Sequence, residues 1–249
     1  MKILLVADLH YTLRQWDWLN DTADRFDLVV VAGDLLDIAS IVPLEAQIIV
    51  VRKYLQRLAP QAPILVCSGN HDILSEDDTQ PRDAAWLRDK KGDSYLADGD
   101  HFERDEFYFS VIPWWEDDAQ RAQIEQQLIA QQAEAAGKRW IWVYHAPPKG
   151  STVAWNGRRD FGDDALPAWI ERFEPELVLG GHIHNAPFYA DGSWIDHIHG
   201  AWVFNGGKQI GSIPCFTVID TDNNKAMWMS AGEAEQAELS MPLARQPLG

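Results

Sequence analysis

Short blocks of Val, Ile, Leu and Ala alternate with longer stretches in which apolar residues recur every three or four positions. Blocks 3–7, 28–32, 64–67, 140–144 and 177–179 are too short for helices and too continuously apolar for half-exposed strands. They predict buried strands of a parallel or mixed sheet. Between them, residues 13–25, 43–58, 116–136 and 163–173 predict helices. In the second of these, Leu44, Ile48, Val51, Leu55 and Leu58 form a stripe suited to covering a sheet face. The third has a thinner stripe (Ile124, Leu128, Ile129) and reads as a surface helix. Strands alternating with helices argue an α/β fold. A further strand is predicted at 107–112. After His184 come short β segments at 194–198, 201–204, 216–220 and 226–230, the last two joined by an Asp222-Asn223-Asn224 turn. Beyond Ala231 the chain is Ala, Glu, Gln and Pro with little periodicity. One domain is therefore expected over 1–230, with 231–249 a C-terminal tail, strapped on or disordered.

Each of the five buried blocks runs into metal-ligand chemistry. They are followed by Asp8-Leu9-His10, Gly33-Asp34, Gly69-Asn70-His71-Asp72, His145, and Gly180-Gly181-His182-Ile183-His184. Ligands gather at the carboxyl ends of strands in open α/β sheets, so these residues are expected to converge. One Asp or His after a strand is ordinarily a loop residue or a helix cap. Five such strand ends are a different matter, and they hold five of the eight histidines. Carboxylate, imidazole and amide donors together suit Mn, Fe or Zn better than a thiolate-seeking metal or Ca.

The succession Asp-x-His, Gly-Asp-x-x-Asp, Gly-Asn-His-Asp, a lone His and Gly-His-x-His resembles the calcineurin-like metallophosphoesterase superfamily. The resemblance spans Asp8 to His184 with all five blocks intact. It implies a four-layer α-β-β-α sandwich of two mixed sheets flanked by helices, the late strands completing the second sheet. It also implies two divalent transition-metal ions, the first held by Asp8, His10 and His184, the second by Asn70, His145 and His182, with Asp34 bridging. The implied activity is hydrolysis of a phosphoester by a water that the two ions activate between them. His71 would donate to a phosphoryl oxygen or protonate the leaving group, and Asp37 would orient His71. The ordinary alternative for Asp37 is a helix cap or turn acid, and Asp72 is read as a structural turn residue.

Departures from subfamily patterns bear on the substrate. Asp37 is followed by Ile38-Ala39, where Ser/Thr protein phosphatases carry a phosphate-gripping Arg-Gly, and His71 stands where the lipid A pathway hydrolases carry Arg. Asn205-Gly206-Gly207 resembles the Asn-Pro-Gly turn of small bacterial phosphodiesterases, although a plain β-turn explains it as well. The remaining pattern is shared by bacterial cyclic-nucleotide phosphodiesterases and recombination-repair nucleases. With 38 acidic against 21 basic residues the net charge is −17, which repels polyanions. No basic cluster exceeds Arg158-Arg159 or Lys90-Lys91, so nucleic acid is not the expected partner. The reading is a small phosphodiester as substrate. A phosphomonoesterase or a DNA or RNA nuclease is the alternative, and a non-catalytic scaffold ranks last because no ligand position is lost. Substrate contacts are expected from Trp114, Trp115, Lys149, Arg158 and Arg159, with His197 and His199 as further candidates. Most of the twelve tryptophans, such as Trp140 and Trp142, are expected in the core. Cys67 and Cys215 sit in apolar patterns and read as packed thiols. No signal-peptide pattern or membrane-length apolar run is visible, so a cytoplasmic location is expected.

Overall fold

The computed structural model describes residues 1–75, 82–89 and 95–248; Lys90-Lys91 lie outside the described residues. The first apolar blocks become β1 (Lys2–Val6), β2 (Leu28–Ala32) and β3 (Ile64–Cys67), which with a short β4 (Leu96–Ala97) pair in parallel. Three helices follow these strands: α1 (Leu13–Asn20), α2 (Leu44–Leu58) and α3 (Ala85–Arg88). The second sheet is built from β5 (His101–Arg104), β6 (Phe107–Val111), β7 (Arg139–Val143), β8 (Leu177–Gly180), β9 (Ile195–Ile198) and β10 (Ala201–Asn205). Its order is β5-β6-β7-β8-β10-β9, parallel in the middle and antiparallel at both edges. Its helices are α4 (Asp118–Glu134) and α5 (Leu166–Phe173).

Period-two alternation sorts the side chains into layers. Ile3, Leu5, Leu28 and Val30 face Phe107, Phe109, Ile141 and Leu179 across the space between the sheets. Leu4, Val6, Val29 and Val31 face outward onto Trp16, Val51, Leu55 and Leu58 of α1 and α2. Trp140, Trp142 and Val178 likewise pack under Leu128, Trp169 and Ile170 of α4 and α5. The result is the expected four-layer sandwich of two mixed sheets. Cys67 and Cys215 are buried free thiols. Among the described residues, no helix is long and apolar enough to cross a membrane.

One expectation needs correction. The late strands do not all join the second sheet: β9 and β10 do, whereas β11 (Phe216–Asp220) pairs antiparallel with β1 and carries β12 (Lys225–Met229) into the first sheet. Alternation encodes which face is buried and not which strand lies alongside. The segment after Ala231 is also drawn into that sheet, as β13 (Ala234–Glu238) on β12 and β14 (Arg245–Pro247) on β13. Its composition hides this, because Ala237 alone of β13 is buried, while Glu235 accepts a hydrogen bond from Trp194 Nε1 at 2.7 Å.

Asp72 fastens the exits of β2 and β3 together. Its buried carboxylate accepts from the backbone N–H groups of Leu35 and Leu36 through Oδ1 and of Gly69 through Oδ2, each at 2.9 Å. Asp72→Ala leaves three buried donors without partners, at about 1–3 kcal/mol for each. The urea midpoint should drop accordingly in Asp72→Ala and less in Asp72→Asn. Equal midpoints for wild type and Asp72→Ala would remove Asp72 from this role.

Candidate metal centre

The exits of β1, β2, β3, β7 and β8 meet at one end of the sandwich on strained backbone. Among the described residues, nine non-glycine residues have positive φ, and five of them are Asp8 (56°), His10 (40°), Tyr11 (55°), Asp34 (53°) and His182 (72°). Such conformations cost about 1–3 kcal/mol each and persist only when their surroundings over-determine them. Here the β1 exit is laced to the β2 exit by Asp8 N–H to Gly33 O (3.1 Å), His10 N–H to Asp34 O (2.9 Å) and Tyr11 N–H to Leu35 O (2.8 Å). Gly33 adopts φ +83°, and a Cβ there would lie 2.3 Å from His145 Nδ1. Only glycine lets the histidine of β7 tuck against the β2 exit. At Gly181 a Cβ would lie 2.5 Å from Asp8 Oδ2.

Two carboxylates organise the side chains. Asp34 Oδ2 lies 3.4 Å from His145 Nε2, 3.5 Å from His10 Nε2 and 3.9 Å from His71 Nε2. Asp8 Oδ1 lies 3.2 Å from His184 Nε2, 3.8 Å from His10 Nε2 and 4.0 Å from His145 Nε2. His10 Nε2 and His184 Nε2 are 3.0 Å apart. Their second oxygens are used for positioning: Asp34 Oδ1 accepts from His71 N–H (2.8 Å) and Asp8 Oδ2 from His182 N–H (3.0 Å). His145 Nδ1–H donates to the carbonyl of Ala32 at 2.7 Å, which leaves Nε2 as the nitrogen available to a ligand. Donors bound to one ion at about 2.0–2.2 Å lie roughly 3–3.5 Å from one another. The cluster resolves into groups whose ligand atoms lie within 4.8 Å of one another, close to this spacing: Asp8, His10, Asp34 and His184; then Asp34, His145 and His182; with His10, Asp37 and His71 alongside.

Burial opposes ionisation of Asp8 and Asp34, but the surrounding histidines outweigh it and hold both carboxyls below their usual range. His145 is pushed the other way. Burial would lower it, but Asp34 and Asp8 prevail and raise it to about 9. Burial and the charge of His145 lower His182 to about 4, and burial lowers His71. The cluster thus has excess negative charge that it meets by drawing a proton onto His145. Asp8 Oδ1, Asn70 Oδ1 and His145 Nε2 are also buried without hydrogen-bond partners. Orphaned lone pairs on Asp8 Oδ1 and Asn70 Oδ1, beside an unpartnered His145 Nε2, give a mixed oxygen and nitrogen donor set that fits two divalent transition-metal ions.

Of the expected substrate contacts, Trp114 packs its ring on those of His182 (5.2 Å) and His145 (5.7 Å). Trp115 donates instead to Asp163 (2.8 Å), exposed Lys149 pairs with Asp164, and the Arg159 guanidinium lies 4.0 Å over Phe161. Arg158 is exposed, and His197 packs on Trp202 (4.5 Å). One turn singled out in the sequence gains a role, and one feature escaped sequence reasoning. Asn205 clamps the last block: its Nδ2 donates to Ile183 O and Val153 O (both 3.0 Å), and its Oδ1 accepts from Gly207 N–H (2.9 Å). Half-buried Lys208 donates its backbone N–H to His184 O (2.9 Å). Burial lowers its ammonium, which lies within the field of Asp8, Asp37 and Asp34. Nothing in the run Gly206-Gly207-Lys208 marks that lysine in sequence.

Solved structures support the same fold. Protein TT1561 of Thermus thermophilus aligns with a TM-score of 0.58 at 15% identity, covering 96% of this chain and 99% of that one. A dimetal phosphatase from Danio rerio aligns at 0.55 and 15% identity, covering 92% and 95%. A purple acid phosphatase from yellow lupin, Lupinus luteus, aligns at 0.55 and 13% identity over 96% of this chain, which spans 51% of the lupin enzyme. Comparison with curated protein sequences yields no match. The pattern described as calcineurin-like phosphoesterase matches residues 1–186, three quarters of the sequence and all five ligand blocks. The chain belongs to the calcineurin-like phosphoesterase family, whose members are metal-dependent phosphoester hydrolases.

Proposed function

We propose that the protein hydrolyses a small phosphodiester, using two divalent ions held by Asp8, His10 and His184 on one side and Asn70, His145 and His182 on the other. The observation that carries this reading is the sharing of one buried carboxylate, Asp34, by both ligand groups. Two ions held by groups that share Asp34 would supply a nucleophile from water at neutral pH and neutralise charge on the phosphate.

The chain's own residues do the rest. His71 is fixed by its backbone N–H on Asp34 and by edge-on packing against His10, with ring centroids 4.4 Å apart. Its Nδ1 is buried without a partner. An imidazole kept neutral by burial presents one N–H, suited to a phosphoryl oxygen or to the departing alkoxide. Asp37 lies within 4.8 Å of ring nitrogens of His71 and His10, which favours an orienting role, while its Oδ1 also accepts from Ala39 N–H at 2.9 Å in a local turn. A monoester dianion gains more from an arginine fork than a diester monoanion does. Among the described residues, the cation seen to feel the charge of Asp8, Asp34 and Asp37 is Lys208, a point charge and not a fork, and this supports the diester. The acidic surface disfavours long polyanions and penalises a dianion more than a monoanion.

Four outcomes test the reading. Asp34→Asn should lower the occupancy of both metal sites, whereas His10→Ala should empty mainly one; full occupancy in Asp34→Asn by elemental analysis removes the bridging role. His71→Ala should retain its metals and lose on the order of 10²-fold or more in kcat. A parallel loss of metal would make His71 a ligand. The third outcome concerns His145, which is protonated in the metal-free protein up to pH about 9 and must be neutral to bind an ion. Metal uptake at pH 7.5 should therefore release a proton, and affinity should climb as pH rises toward 9. Titration calorimetry in buffers of different ionisation enthalpy reads this directly, and buffer-independent heats would contradict it. Finally, with Mn bound, bis(p-nitrophenyl) phosphate should have a higher kcat/KM than p-nitrophenyl phosphate. A preference for the monoester sinks the diester reading, and efficient degradation of single-stranded DNA would favour a nuclease.

A further inference from the structure

The turn from Asn205 to Lys208 holds the ligand histidine His184 from both sides. Buried Asn205 donates through Nδ2 to Ile183 O (3.0 Å), and Lys208 donates its backbone N–H to His184 O (2.9 Å). The peptide groups before and after His184 are thus fastened to one turn. That turn is itself fixed, because Asn205 Oδ1 accepts from Gly207 N–H (2.9 Å) and Gly206 O accepts from the buried Trp228 Nε1 (2.7 Å). The Lys208 side chain therefore departs from backbone locked to a residue whose own Nε2 lies 3.2 Å from Asp8 Oδ1. Lys138, Lys149 and Lys225 each pair with a carboxylate. Lys208 is half-buried, and among the described residues no hydrogen bond or ion pair takes its ammonium. The acids whose charge reaches it are Asp8, Asp37 and Asp34, all three at the metal centre.

We propose that Lys208 is a phosphate-binding residue, its ammonium donating to a non-bridging oxygen of the substrate on the side of the centre built from Asp8, His10 and His184. A partly desolvated ammonium needs an anionic partner. Asp8 and Asp34 cannot serve as that partner once their charge is committed to divalent ions, and Asp37 Oδ1 is engaged by Ala39 N–H in its own turn. The anion still to arrive is the phosphoryl group. A lysine suits it, because it meets a phosphate oxygen as a point charge and leaves the remaining oxygens to the ions and to His71. The same turn that fixes His184 thereby sets where the phosphate is gripped.

The proposal rests on the two-ion centre proposed above and not on the choice of a diester, so the probe is inorganic phosphate, titrated calorimetrically into the Mn-loaded protein. Lys208 makes its turn bond through the backbone, so Lys208→Met and Lys208→Gln should both fold with their metal content unchanged. Each should bind phosphate at least tenfold more weakly than wild type, the second variant showing that charge and not mere polarity is required. Lys225→Met removes the same charge from exposed β12 and should leave phosphate affinity within about twofold, which separates a local grip from the bulk field. Phosphate affinity within twofold of wild type in either Lys208 variant would overturn the proposal. So would an equal loss in Lys225→Met, loss of bound metal in Lys208→Met, or no phosphate binding by wild type at millimolar concentration. A protein that binds phosphate through Lys208 yet prefers the monoester would uphold the proposal while the diester reading falls.

Discussion

A carboxylate with no exposure to speak of must find its compensation inside the protein, and Asp34 finds it from nearly every direction. Its Oδ1 is taken by the backbone of His71, while its Oδ2 faces imidazoles delivered by β1, β3 and β7. Asp8 repeats the arrangement beside it, one oxygen on the backbone of His182 and the other among ring nitrogens. Two buried anions this close repel one another, and His145 offsets that repulsion only by holding a proton it would otherwise lose in a buried setting. Divalent cations do the same work without displacing the ring nitrogens from their ligand role. The tight turns, the glycines and the sandwich itself can be understood as what it takes to keep this cluster assembled.

Strain shows where that demand is met. Positive φ at Asp8, His10, Tyr11, Asp34 and His182 is tolerated because each residue sits just past a strand whose own ladder is complete and whose side chains are locked between layers. The ladder hydrogen bonds that continue from Asp8 to Gly33 and from His10 to Asp34 carry sheet rigidity one turn beyond the strands. Asp72 and Asn205 do the equivalent from the side, the first across the β2 and β3 exits, the second across the His182–His184 loop. Rigidity of this kind keeps donors at ligand spacing against their mutual repulsion.

Much of this was legible in the sequence because burial on both faces leaves an unmistakable run of β-branched residues, and because ligand types stand immediately after those runs. The convergence of Asp8, His10, Asp34, His71, His145, His182 and His184 follows from that, whereas the layer order rests on the resemblance to the metallophosphoesterase superfamily. Strand partnership did not. The residues of β11 alternate as well for one sheet as for the other, and only the antiparallel register Lys2↔Asp220 to Leu5↔Thr217 settles which. β13 was illegible for a related reason: a strand made of Ala, Glu and Gln carries almost no intrinsic β signal and exists because β12 offers an open edge. Lys208 escaped notice because its significance lies in what surrounds it in space, the field of three carboxylates.

Trp114 was expected to stack on substrate, and in the fold it has a more constrained position. Its ring packs on His145 and His182 of the second ligand group, the former anchored to the Ala32 carbonyl through its far nitrogen. A side chain pinned in this way cannot swing freely to adapt to an arriving ligand. The first group, Asp8, His10 and His184, has no comparable aromatic contact outside the cluster among the described residues. The two halves of the centre are therefore unequal in how they are held. One is fastened to the β1 exit and the Asn205 clamp, and the other is backed by a tryptophan.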